Sequence, residues 1–151
     1  MRAFLVLTLR VLAGVIPHAA LHNGVIGLQR PVHRPHLLFA CLCVTITVYV
    51  GAKTGAYRAE SATQLVAMRR LELSASTVFT GLLPWFVSAY LQLPERRPQV
   101  AMSIACAAVL VANLWLPWGV AFTGVPDAVR IVLPWGEQVT DLRVHRASVW
   151  F

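Results

Sequence analysis

The sequence predicts an all-α membrane protein with about four transmembrane helices in an antiparallel bundle, followed by a C-terminal extramembrane segment. Of its 151 residues, 58% are hydrophobic and only 13% are charged. A soluble domain averages about 25% charged residues, and its surface needs more polar cover than this chain offers. The charges are also unevenly spread, since four windows contain none: residues 11–29, 35–52, 73–94 and 98–126. Each window is close to or above the roughly 20 residues that cross a bilayer.

The four predicted spans lie between clusters of charge and proline. The first is expected over residues 4–29 and the second over residues 36–56. The third is expected over residues 73–93 and the fourth over residues 100–118. Short connections that contain proline join the first span to the second and the third to the fourth. Because proline favours turns at helix ends, these connections predict antiparallel neighbours.

Residues 1–118 are therefore predicted to form the membrane bundle, and residues 119–151 a separate extramembrane segment of short helical or extended pieces. The longer connection over residues 57–71 is compatible with an interfacial helical turn, because Leu65, Met68 and Leu71 recur at helical spacing. The chain ends in an apolar run, which we expect to be the start of a further span in a longer protein.

The net charge of +7 and the isoelectric point near 10.4 raise the question of a nucleic-acid partner. Basic residues that flank membrane helices and meet anionic lipid account for the excess. No basic stripe with interleaved aromatic residues occurs, so the lipid bilayer is the expected partner and nucleic acid is not. The positive-inside rule leaves the orientation open, because arginines flank the predicted spans at both ends of the bundle.

Two pairs of residues are candidates for a sensing surface. His18 and His22 lie four residues apart, and hence on one face of the first helix. Ionisable residues inside a span commonly mark a functional site, and histidine titrates near neutral pH. Alternatively, both imidazoles lie near the membrane surface and bond to water, lipid or a carbonyl. Trp135 and Glu137 in the tail suit either a ligand pocket or a turn that rests on the headgroups.

Small and polar residues of the fourth helix predict how it packs. A ridge of small side chains would let another helix approach closely, and it consists of Ala101, Ala105, Ala108 and Ala112. Asn113 follows this ridge and can hydrogen-bond across the bundle. Cys41 and Cys43 point about 200° apart on the second helix, so they cannot share one metal ion. We therefore expect no metal site and no cofactor.

Sequence motifs of catalysis are missing. The chain has no phosphate-binding loop, no nucleophile elbow and no zinc-protease motif. All six acidic residues fall outside the predicted spans, which leaves no obvious carboxylate for intramembrane catalysis or ion coupling. A non-enzymatic protein is therefore expected. A small membrane transporter or a cofactor-binding membrane subunit is the alternative.

Several short motifs resemble the N-terminal multi-span input region of bacterial membrane sensor proteins. They are His22-x6-Gln29-Arg30, Arg34-Pro-His-Leu-Leu-Phe-Ala, Tyr57-Arg-Ala-Glu, Trp85-Phe-Val-x2-Tyr90, Asn113-Leu-Trp-Leu-Pro-Trp-Gly and Leu133-Pro-Trp-Gly-Glu. The resemblance covers about residues 16–151. It implies a signal-input module of the bacterial inner membrane with its N-terminus outside. In that family a PAS, histidine kinase or diguanylate cyclase domain follows, and this sequence contains none. A second copy or other membrane helices are the expected protein partners, and the small-molecule ligand stays open.

Overall fold

The computed structural model describes residues 2–29, 34–94, 96–117, 119–120, 128–132 and 138–142, with side chains over residues 14–120 of those ranges. These residues form four helices and two short strands. They are α1 (Arg2–Gln29), α2 (Arg34–Tyr57), α3 (Ala62–Leu91), α4 (Arg97–Trp115), β1 (Ala128–Val132) and β2 (Gln138–Leu142). Of the helices described with their side chains, α2 and α4 are long and apolar enough to cross a membrane.

The third helix begins at Ala62 and not at the predicted Leu73. Ser61 provides the N-cap, because its side-chain oxygen accepts a hydrogen bond from the backbone N–H of Gln64 at 3.2 Å. The Gln64 side chain reaches back and accepts a bond from the backbone N–H of Glu60 at 3.1 Å. This local capping places most of the predicted connection inside α3, whose 30 residues span about 45 Å.

Contacts at the glycines of α1 show how it packs on α2. A Cβ built on Gly24 would lie 3.8 Å from the Ala40 Cβ, and one built on Gly27 would lie 2.7 Å from the Leu37 backbone nitrogen. Later residues of α1 therefore lie beside earlier residues of α2, so the two helices are antiparallel. Gly27 allows the two backbones to approach at the end where the chain turns.

The next two pairs are also antiparallel. Between α2 and α3, Lys53 meets Glu72 near one end, and the Phe39 and Phe86 ring centroids lie 5.8 Å apart near the other. Between α3 and α4, Arg70 bonds to the backbone of Asn113, and Trp85 bonds to Ser103 fifteen residues further along α3. Extensive contacts join only consecutive helices. The helices therefore form an open row, α1–α2–α3–α4, in which each helix is antiparallel to the next, as the sequence predicted for the pairs with short connections.

The row is held together by small side chains and exposes large ones. Most of the buried apolar residues are alanines, such as Ala20 and Ala56, while Leu21 and Trp115 are exposed. Helices in lipid associate in this way, because small residues let backbones approach and large apolar ones lose nothing by facing hydrocarbon. A soluble domain would place its large apolar residues inside.

The segment after α4 contributes an antiparallel pair of strands. Ala128 pairs with Leu142 at one end of β1–β2 and Val132 pairs with Gln138 at the other. The backbone of β2 approaches α2. Short helical or extended pieces were expected in this tail. The two regular elements described there, β1 and β2, are extended.

Candidate functional site

A buried polar side chain with three hydrogen bonds belongs to Asn113, in the last turn of α4. It is 1% exposed and lies against α3. Its Nδ2 group donates to the backbone oxygen of Arg70 at 3.1 Å and to the Ser74 hydroxyl oxygen at 3.0 Å. Its Oδ1 atom accepts from the backbone N–H of Val120 at 3.3 Å. One buried amide thus joins α3, α4 and the segment that follows α4.

Arg70 completes this contact from the side of α3. Its Nε and one terminal nitrogen donate to the backbone oxygen of Asn113 at 3.2 and 2.9 Å. The same terminal nitrogen donates to the backbone oxygen of Leu114 at 2.7 Å. The last carbonyls of a helix have no partner within it and carry partial negative charge. The Arg70 guanidinium therefore caps the C-terminus of α4 through charge-assisted bonds.

Gly119 allows the chain after α4 to fold back onto this pair. Its φ of +72° lies in the left-handed region, which glycine adopts without steric penalty. A Cβ at this position would also lie 2.7 Å from the Asn113 Oδ1 atom and 3.1 Å from the Arg70 Cγ atom. We refer to Arg70, Ser74, Asn113, Gly119 and Val120 as the α4 clamp.

A group of charges lies beside the α4 clamp, between α2 and α3. Glu72 accepts a hydrogen bond from Arg69 at 2.8 Å and lies 3.8 Å from the Lys53 ammonium. Lys53 also donates to the Tyr49 hydroxyl at 3.2 Å. The Glu72 side chain is only 13% exposed, so these cations compensate a carboxylate that is largely removed from solvent. Polar contacts thus link α2, α3 and α4 at the same end of the row.

Isolated polar bonds tie the other parts of the row. Asn23 on α1 lies 2.9 Å from a ring nitrogen of His36 on α2. The Trp85 indole nitrogen donates to the Ser103 hydroxyl oxygen at 2.7 Å, beside an apolar cavity of about 200 Å³ between α3 and α4. Within the described part of the chain, no three His, Cys, Asp or Glu side chains are grouped as a metal site would require.

The candidate residues from the sequence lie apart from the α4 clamp. His18 and His22 are exposed on the face of α1 that points away from α2. Trp135 and Glu137 fall outside the described residues. The predicted ridge on α4 is turned away from α3, because its first three members are exposed and the last is half-buried: Ala101, Ala105, Ala108 and Ala112. The face of α4 that contacts α3 contains instead Ser103, Cys106 and Asn113.

Asn113 was expected to hydrogen-bond across the helices, and it does. Arg70 was not expected in the site, because the sequence interpretation placed it in the connection before the third helix. The helical spacing of Leu65 and Met68 is the signal that could have placed Arg70 on a helix.

Neither a family model, nor a curated protein, nor a solved structure matches this chain. Its function must therefore be inferred from its own residues and contacts.

Proposed function

We propose that the chain is a non-catalytic signal-input module of the bacterial inner membrane, in which four spanning helices are coupled to the segment after α4. One observation carries this proposal. The buried Asn113 amide bonds simultaneously to Arg70 and Ser74 on α3 and to Val120 beyond α4. A ligand or force that moves the outer segment thereby shifts the packing of α3 against α4, which is how interfaces transmit small displacements.

Membrane placement is supported by the exposure of the two most apolar helices. Only 22% of the apolar window of α2 and 11% of that of α4 is buried. The core helix of a soluble protein meets the same length and hydropathy criteria, but it is mostly buried. Outward-facing apolar residues of this extent need hydrocarbon, and the bilayer supplies it.

The register of the row supports a spanning position for α1 and α3 beside α2 and α4. Between Glu72 and Phe86, α3 runs alongside α2, and between Arg70 and Trp85 it runs alongside α4. Packing of α3 along both apolar helices over this length supports a spanning position for α3 as well. The contacts of Gly24 and Gly27 with α2 support the same position for α1. We therefore propose four spans.

Basic residues favour an orientation with the N-terminus outside. Arg34, Arg96 and Arg97 are exposed at the end of the row that contains the two tight connections. At the opposite end, Arg58 is exposed, whereas Lys53 and Arg69 contact Glu72 and Arg70 is bound to α4. Exposed arginines in short connections mark the cytoplasmic side. The α4 clamp and the strands β1 and β2 then lie on the periplasmic side.

Cysteine labelling of the two ends tests this topology. In a background without native cysteines, we expect Glu60→Cys to react with a membrane-impermeant maleimide added to intact spheroplasts. Leu93→Cys should react only after permeabilisation, because it lies at the opposite end of the row. Neither substitution removes a basic residue, so the lysines and arginines that orient the chain are unchanged. Labelling of both positions from the same side would contradict four spans.

Hydrogen exchange of the full chain in lipid nanodiscs tests the coupling. We expect Asn113→Ala to speed the exchange of backbone amides in residues 119–142 about fivefold, since the bond that holds Val120 is lost. The control is Thr80→Val, which removes a hydroxyl bond that stays within α3. Equal exchange rates in the wild type and both variants would show that the outer segment is independent of the helices.

A further inference from the structure

The outer face of α1 presents two histidines that bond to none of the described residues. His18 and His22 are both exposed, and among the described residues neither makes a hydrogen bond or an ion pair. Between them and beyond them the same face exposes Leu21, Val25 and Leu28. α1 forms one open edge of the row, so no other helix of the described chain covers this face.

The helix register places both imidazoles near the middle of the bilayer. Because Gly24 lies opposite Ala40 and the pair is antiparallel, His22 is level with residues near Leu42 and His18 with residues near Ile46. α2 runs from Arg34 to Tyr57, so these levels fall within about 6 Å of its midpoint. This inference rests on the proposed function only in requiring that α1 and α2 span the membrane.

Hydrocarbon cannot satisfy these side chains. A neutral imidazole carries one hydrogen-bond donor and one acceptor, and neither finds a partner among lipid tails. Polar side chains at this depth consequently face other helices or a water-filled cavity. The other open edge differs, because the outer face of α4 is apolar and includes Ile104, Val111 and Trp115. Lipid tails can therefore cover the outer face of α4, but they cannot provide hydrogen-bond partners for His18 and His22 on α1.

We propose that the outer face of α1 is an interface with α1 of a second copy of this chain, in which His18 and His22 of the two copies hydrogen-bond to each other. The face is self-complementary, because each neutral imidazole offers the donor and the acceptor that its counterpart needs. An interface of this kind is isologous and closes a twofold dimer. Histidines that bond across helices are an established means of association in lipid.

Disulfide crosslinking in the bilayer tests the position of the interface. In the cysteine-free background, Val25→Cys is compared with Val111→Cys, since the two valines are 57% and 58% exposed. We expect Val25→Cys, one turn from His22, to give a covalent dimer on mild oxidation. Val111→Cys on α4 should stay monomeric. Crosslinking through Val111→Cys and not through Val25→Cys would place the interface on α4 and overturn the proposal.

Substitution of the histidines tests their chemistry. In the Val25→Cys chain, His18→Leu with His22→Leu should weaken association about tenfold, because several interhelical hydrogen bonds are lost. His18→Gln with His22→Gln should restore most of it, since an amide also carries a donor and an acceptor. Unchanged crosslinking in the leucine variant would overturn the role of the imidazoles. A negative result in this experiment would not change the side of the membrane from which Glu60→Cys and Leu93→Cys are labelled. The dimer proposal and the proposed function can therefore fail independently.

Discussion

Replacing Arg70 with methionine is expected to lower the free energy of unfolding by about 2–3 kcal/mol, because hydrogen bonds of a charged donor are each worth about 1.5–3 kcal/mol. The Arg70 guanidinium donates to the backbone oxygens of Asn113 and Leu114, which α4 itself leaves without partners. Methionine keeps the apolar stem of the side chain and removes only the charged group. Titration with a denaturing detergent in mixed micelles measures the change.

The neighbouring arginine provides a matched control. Among the described residues, the Arg69 side chain bonds to Glu72 on its own helix and is 33% exposed. Without Arg69, the Glu72 carboxylate keeps the Lys53 ammonium at 3.8 Å, and no backbone carbonyl loses its partner. Arg69→Met should therefore cost less than Arg70→Met, about 1 kcal/mol. Arg70→Lys should be intermediate, because an ammonium keeps the charge but lacks the planar fork that reaches two carbonyls. Equal losses for Arg69→Met and Arg70→Met would contradict the capping role.

Replacing Gly27 with alanine is expected to separate α1 from α2. The added Cβ would lie 2.7 Å from the Leu37 backbone nitrogen and 2.9 Å from the Leu37 Cα and Cβ atoms. Backbone atoms cannot swing away as a flexible side chain does, so the helices must move apart and lose contacts along their length. We expect a loss of about 2–3 kcal/mol in the free energy of unfolding, measured by the same detergent titration.

Gly51 on α2 is the control for this substitution. A Cβ at Gly51 would meet nothing within 4 Å. Alanine there should stabilise the chain by up to about 1 kcal/mol, because it is the better helix former. If Gly27→Ala were as well tolerated as Gly51→Ala, the close approach of α1 and α2 would not exist in the membrane.

Much of the helical part could be predicted because it depends on local properties. The charge-free windows gave four helices, and the proline-bounded connections indicated antiparallel neighbours. The end of α3 near Leu91 follows the expected boundary closely. Its start was missed, because the charges of residues 58–72 were interpreted as a connection. They belong to a helix of about 45 Å, which begins at the Ser61 cap and is longer than the roughly 30 Å hydrocarbon core of a bilayer.

The candidate site was predicted in part, since Asn113 was identified and Arg70 was not. An asparagine near the end of an apolar helix is visible in the sequence as a polar group that needs a partner. Its actual partners lie 43 and 39 residues earlier in the chain. Which residues meet across two helices depends on their register and rotation, and these result from packing over the whole interface.

The amino-acid sequence alone determined that most of the chain forms four helices, because hydropathy and charge spacing act over one helix at a time. Only the tertiary structure decided that the helices form an open row, that Arg70 caps α4 and that His18 and His22 face outward. Each of these depends on which helix faces meet, and that choice is made by small residues such as Gly27 and Ala56 that permit close approach. The periodicity of the sequence predicts that a helix has distinct faces, but the packing of the helices determines which neighbour each face contacts.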